Sequence, residues 1–122
     1  MMGMGRTGGF VYTPKISGKV FCIITGAVTN NTAGMGAFVY ASYGTGTAPA
    51  NGQAAVGTSL CGAMLCRGGA SSGVGDASGF CAAGMVTGAA LNTQLWFDVI
   101  LASYTSGTAS VSGLAFAAFE IP

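Results

Sequence analysis

Gln94-Leu95-Trp96-Phe97-Asp98-Val99-Ile100-Leu101-Ala102-Ser103-Tyr104 is the stretch on which the fold turns. Leu95, Phe97, Val99 and Leu101 fall on one side of an extended chain, and Trp96, Asp98, Ile100 and Tyr104 on the other. Period-two alternation with aromatic and β-branched residues is the pattern of a strand. Asp98 is the single charge in it, and as a lone in-strand carboxylate it is expected to face solvent or to take hydrogen bonds from neighbouring strands or from Lys or Arg.

The same pattern recurs on either side. Gly18 to Val28 sets Val20, Cys22 and Ile24 against Phe21, Ile23 and Thr25, and Met35 to Tyr43 sets Phe38 and Tyr40 against Val39, Ala41 and Tyr43. Phe80 to Thr87 is a short strand, and a weaker one lies between Gln53 and Cys66. A final strand covers Thr108 to Ile121, with Val111, Ala115, Ala117 and Phe119 opposing Leu114, Phe116 and Ala118. Turn clusters separate these runs at 29–34, 44–52 and 105–107. Arg67 to Gly79, rich in Gly and Ser, reads as the most flexible internal segment. Short strands at this spacing, with no good helix, predict an all-β chain, an antiparallel β-sandwich or barrel. Residues 1–9 read as a flexible arm, and residues 10–122 as one β-sandwich domain.

Several of these strands are apolar on both faces, whereas the outer face of a monomeric antiparallel sheet is ordinarily polar. Outer faces packed against copies of the same chain would explain this, so a homo-oligomer is expected; the alternative is that small residues such as Ala and Ser tolerate either environment. Charge points the same way. The 122 residues carry four basic side chains (Arg6, Lys15, Lys19, Arg67), three acidic ones (Asp76, Asp98, Glu120) and no histidine. A typical soluble domain is about a quarter charged, and this one is 6%. So little charge does little to keep molecules apart in solution.

The same scarcity excludes chemistry. Without histidine, neither a Ser-His-Asp nor a Cys-His site can be assembled. The three carboxylates are scattered over a loop, a strand and the last residues, a poor basis for a glycosidase pair. Cys61 and Cys66 sit at the edge of zinc-knuckle spacing, with Cys22 and Cys81 isolated, so buried thiols are expected rather than a metal site. A disulfide of Cys61 with Cys66 or Cys81 is the alternative. No phosphate-loop pattern occurs, a net charge of +1 offers nucleic acid little grip, and no apolar run is long enough for a membrane-spanning helix. No cofactor is expected. The opening residues lack the apolar core of a secretory signal, so the chain is expected to be made and left in a cytoplasm.

Two sets of residues are candidates for contacts. Tyr43, Trp96 and Tyr104, with Asn51 as a polar partner, could stack on and bind a glycan or another partner; Trp96 and Tyr104 share one strand face, as a platform or as core. Met1, Met2, Met4 and Phe10, spaced by glycines, give the N-terminal arm adaptable apolar contacts for a neighbouring subunit.

Tyr43-Gly44-Thr45-Gly46-Thr47-Ala48-Pro49-Ala50-Asn51-Gly52 resembles a motif of bacteriophage virion structural proteins of the small tail-fibre or head-decoration type. The likeness extends through Ser17 to Val20, Thr25 to Gly34, Leu95 to Asp98, Gly107 to Val111 and Ala118 to Glu120, and departs between Cys61 and Cys81. The resemblance implies a jelly-roll-like β-sandwich in a phage particle, usually oligomeric, with no catalytic residues. The expectation is therefore a non-enzymatic virion subunit, made in the host cytoplasm and forming a trimer. It would contact the capsid or tail as decoration, fibre or spike. The alternatives are a carbohydrate- or receptor-binding fibre tip that meets host surface glycan, and a self-assembling shell or filament subunit.

Overall fold

A computed structural model describes residues 1–67 and 76–122. Most of the expected flexible segment, residues 68–75, lies outside the described residues. The chain is all-β, in two antiparallel sheets, as the alternation predicts. Its elements are α1 (Met4–Thr7), β1 (Val11–Tyr12), β2 (Val20–Asn30), β3 (Gly36–Thr45), β4 (Thr58–Ser59), β5 (Met64–Arg67), β6 (Ser78–Val86), β7 (Leu95–Ser103) and β8 (Ala109–Glu120). The larger sheet runs β1-β7-β3, with β4 and β5 both pairing with β3; the smaller runs β6-β2-β8.

Alternation puts one side of each sheet into a shared core. Val20, Cys22, Ile24 and Val28 of β2 meet Ala37, Val39 and Ala41 of β3 and Leu95, Phe97 and Val99 of β7. Phe10, Phe116 and Phe97 clasp the N-terminal segment, the smaller sheet and the larger sheet together, with ring centroids 4.9 Å and 5.3 Å apart. Burial at these sites removes water from apolar area at about 25 cal/mol per Å².

The expected faces hold for β2, β3 and most of β7, and β8 differs in one respect. Thr25 pairs with Ala115 and Ala27 with Ser112, so β8 carries one residue more than β2 across this step. Gly113 takes a φ of 60° there, the left-handed conformation that glycine adopts at a bulge without steric cost. The bulge shifts the alternation by one. Val111 therefore packs on the core with Leu114, Phe116 and Ala118 instead of sharing a face with Ala115, Ala117 and Phe119.

Residues 1–9 are not a free arm. Met1 is buried between Trp96 and Ile100, with Val11, Tyr40 and Ala48 around it, and forms a second small core on the outer face of the larger sheet. The Met1 amine donates to Gln53 O at 3.0 Å. The Met2 N–H donates to Val99 O, and the Gly52 N–H to Met1 O, each at 3.0 Å.

Candidate functional site

The two sheets treat their outer faces differently. On the larger sheet the outward residues of β7 are Trp96, Asp98 and Ile100, and the N-terminal segment covers all three. Asp98 is fully buried. Its carboxylate accepts backbone N–H groups from Met2 at 3.3 Å, Gly3 at 2.9 Å and Met4 at 3.0 Å, and from Val99 at 2.8 Å. A buried carboxylate is costly unless its lone pairs are filled, and here the N-terminal segment fills them. Asp98 thus corrects the expectation of a solvent-facing side chain, and its partners come from residues 2–4 rather than from neighbouring strands, Lys or Arg. Its register partner, Ser42, is buried as well, and the Ser42 hydroxyl finds no hydrogen-bond partner among the described residues.

Among the described residues the smaller sheet has no such cover. Its outward residues form three rows across β6, β2 and β8: Met85-Phe21-Phe119, Ala83-Ile23-Ala117 and Cys81-Thr25-Ala115. Eight of the nine are apolar, and no carboxylate, amine or guanidinium stands among them. Phe119 is 52% exposed and Met85 45%, while Phe21 lies between them with its ring centroid 5.4 Å from that of Phe119. Beside this bulky row a depression of about 140 Å³ opens between Ile23, Thr25, Ala115, Phe116 and Ala117. What such a face offers is apolar burial. An exposed apolar sheet surface is a feature of interaction sites.

The expected contact residues do not converge. Trp96 is 5% exposed beneath Met1, and its indole N–H donates to Thr45 O at 3.1 Å, so neither ring face forms an open platform. Tyr43 turns to the core side against Phe97, with ring centroids 6.2 Å apart. Asn51 is exposed in the loop after β3. Tyr104, past the end of β7, packs edge-on against Phe38 with the Arg67 guanidinium 5.3 Å from its ring. Met1 and Phe10 are buried within their own chain, and Met2 and Met4 are half-buried against the main core.

Among the thiols, Cys22 and Cys66 are buried as expected; Cys61 is half-buried and Cys81 exposed, and all four are free. Desolvation, with the nearby Cys61 adding to it, pushes the Cys22 pKa up to about 12. Burial also raises that of Cys66. Cys81 departs from the expectation because odd positions of β6 face outward. Among the described residues no cluster of Cys, Asp or Glu could hold a metal ion, and no helix is long and apolar enough to cross a membrane.

Glu120 has a structural task. It accepts the backbone N–H groups of Lys15, Ile16, Ser17 and Gly18 and so pins the loop before β2 to the end of β8. Desolvation would raise its pKa, but these four donors overcome that and hold it at about 2, against an ordinary 4.5.

Comparison of the chain with protein-family models, with curated proteins and with solved structures finds no match.

Proposed function

We propose that this chain is a non-enzymatic structural subunit of a bacteriophage particle. It is a sandwich of the jelly-roll kind that assembles with copies of itself and adds contacts on the virion, as decoration or as part of a fibre or spike. The observation that carries this reading is the outer face of the smaller sheet, uncharged and, among the described residues, uncovered. A protein that stayed alone in water would gain nothing from such a face, and a subunit that packs against another chain needs one.

Two features support the finer points. β1 pairs with β7, β2 with β6 and β3 with β5, a nested set like a long hairpin wrapped on itself. The long strands β2, β3, β6, β7 and β8 alternate between the sheets. Both features fit a jelly roll. The segments that resemble phage virion proteins also meet in space: Thr25 to Gly34 pairs along Gly107 to Val111, and Tyr43 to Gly52 lies against Leu95 to Asp98. Their glycines have packing work to do, since a Cβ on Gly44 would strike the Trp96 indole.

Light scattering behind a sizing column tests the self-association, and mass spectrometry of purified particles tests the location. A discrete oligomer, together with peptides of this chain in the virion, is the expected result. A monomer at every concentration, or particles that lack the chain, overturns the reading.

A further inference from the structure

We infer that the outer face of the smaller sheet closes on the same face of a second copy, about a two-fold axis lying in the contact and running across the strands. This rests on the proposed self-association and states where and how it occurs. The face is graded from large to small: Met85, Phe21 and Phe119 form one outer row, and Cys81, Thr25 and Ala115 the other. Turning a copy over about the middle row lays the large row of each subunit on the small row of its partner. Phe119 then stands over the depression beside Ala115 and Ala117, and Met85 over Cys81.

The sizes agree. The depression measures about 140 Å³, and a cavity of about 150 Å³ accepts a benzene ring. Knob and hole occupy the same face, so one rotation makes the contact twice, which is the property of an isologous interface. The face also carries no charge, so a second copy meets no like-charge repulsion, and a charged partner would find nothing to pair with.

Extent sets the strength. Three strands about 4.8 Å apart and five residues at about 3.4 Å each give a patch of roughly 14 by 17 Å. That is well short of the ~800 Å² per partner of a standard interface. The pairing is accordingly weak between free chains and gains strength where subunits are already held close on a particle.

The test uses Ala117→Glu, in the middle row and exposed in the single chain, so that its carboxylate meets its own counterpart across the axis. Wild type should show an even-numbered mass that rises with concentration, and Ala117→Glu should halve it under the same conditions. Trp96 emission, from the other sheet, confirms the fold. Ala83→Glu, in the same row, gives a second reading if the first variant misfolds. A native readout needs no variant: Cys81 is covered in the pair, so its alkylation by iodoacetamide should slow as wild-type concentration rises. Folded variants that keep the wild-type mass, or Cys81 reactivity that is independent of concentration in an oligomer, overturn this inference and leave self-association standing. A wild-type monomer at every concentration overturns both.

Discussion

Asp98→Ala should release residues 1–9 while leaving the two sheets folded. The substitution removes the acceptor for three backbone N–H groups, those of Met2, Gly3 and Met4. The Met2 N–H keeps Val99 O, but those of Gly3 and Met4 are left without a partner; at about 1–3 kcal/mol per buried donor the docked segment loses roughly 2–6 kcal/mol. What remains to hold it is the burial of Met1, worth about 1.5–3 kcal/mol, the partial burial of Met2 and Met4, and the bonds from Met2 N–H to Val99 O, Gly52 N–H to Met1 O and the Met1 amine to Gln53 O, at about 1 kcal/mol each. Ordering the segment already costs about 1 kcal/mol or more per residue. The docked state therefore loses to the free one, and the released N–H groups find water.

Trp96 is the single tryptophan of the chain and lies under Met1, so its fluorescence reports this release directly. The expected result is a red-shifted emission with access to acrylamide, faster trypsin cleavage after Arg6, and unchanged far-ultraviolet circular dichroism. Asp98→Asn, which keeps an acceptor oxygen but turns an NH₂ towards a donor, should show a smaller shift. Wild-type emission and wild-type cleavage at Arg6 in Asp98→Ala would refute the role given to the carboxylate.

Glu120→Gln should change how stability depends on pH. With a folded pKa of about 2 against 4.5, the carboxylate contributes fully above about pH 4.5 and loses its contribution as pH falls towards 2. The Tm gap between wild type and Glu120→Gln should therefore be widest at neutral pH and close in acid. Gly44→Ala drives a methyl group into the Trp96 indole and should cost about 1–3 kcal/mol in urea denaturation, as overpacking does. Ser42→Ala removes a buried hydroxyl that has no partner among the described residues and should leave stability unchanged or raise it by about 1 kcal/mol; a loss of that size in thermal unfolding would show that the hydroxyl has a partner.

Strand positions were legible because each depends on neighbours along the chain. Val20 to Ile24 and Leu95 to Leu101 alternate without interruption, and both faces could be assigned from residue type. Apolar residues on both sides of β2 and β8 were legible in the same way, though they did not set the outer face of the smaller sheet apart from that of β7, which the first residues cover. Three things were not. The bulge at Gly113 is one glycine among 22, and it becomes visible only when β8 is aligned with β2. The fate of Asp98 depends on residues 94 to 96 positions away, and no local pattern carries that information. The docking of Met1 to Gly9 had a cue in that lone Asp: a carboxylate inside an apolar strand needs donors, and the backbone N–H groups of a glycine-rich segment can supply them.

Asp98 and the smaller sheet together give charge scarcity a more specific meaning than low solubility. Of the three carboxylates, Asp98 is spent on the N-terminal segment and Glu120 on the loop before β2, so both act as acceptors for backbone N–H groups. On the outer face of the larger sheet the chain covers Trp96, Asp98 and Ile100 with its own first residues, while Phe38 and Leu65 stay exposed towards the far end. Among the described residues no segment covers the smaller sheet, and no Asp, Glu, Lys or Arg lies on its nine outward positions. A single Lys or Glu in the middle row would blunt such a face at little cost to the fold, and this is how sheets are ordinarily kept from associating. Its absence at Ala83, Ile23 and Ala117 is what the proposed contact with a second copy requires. It also makes those positions the ones where an introduced charge should change assembly and leave the fold alone.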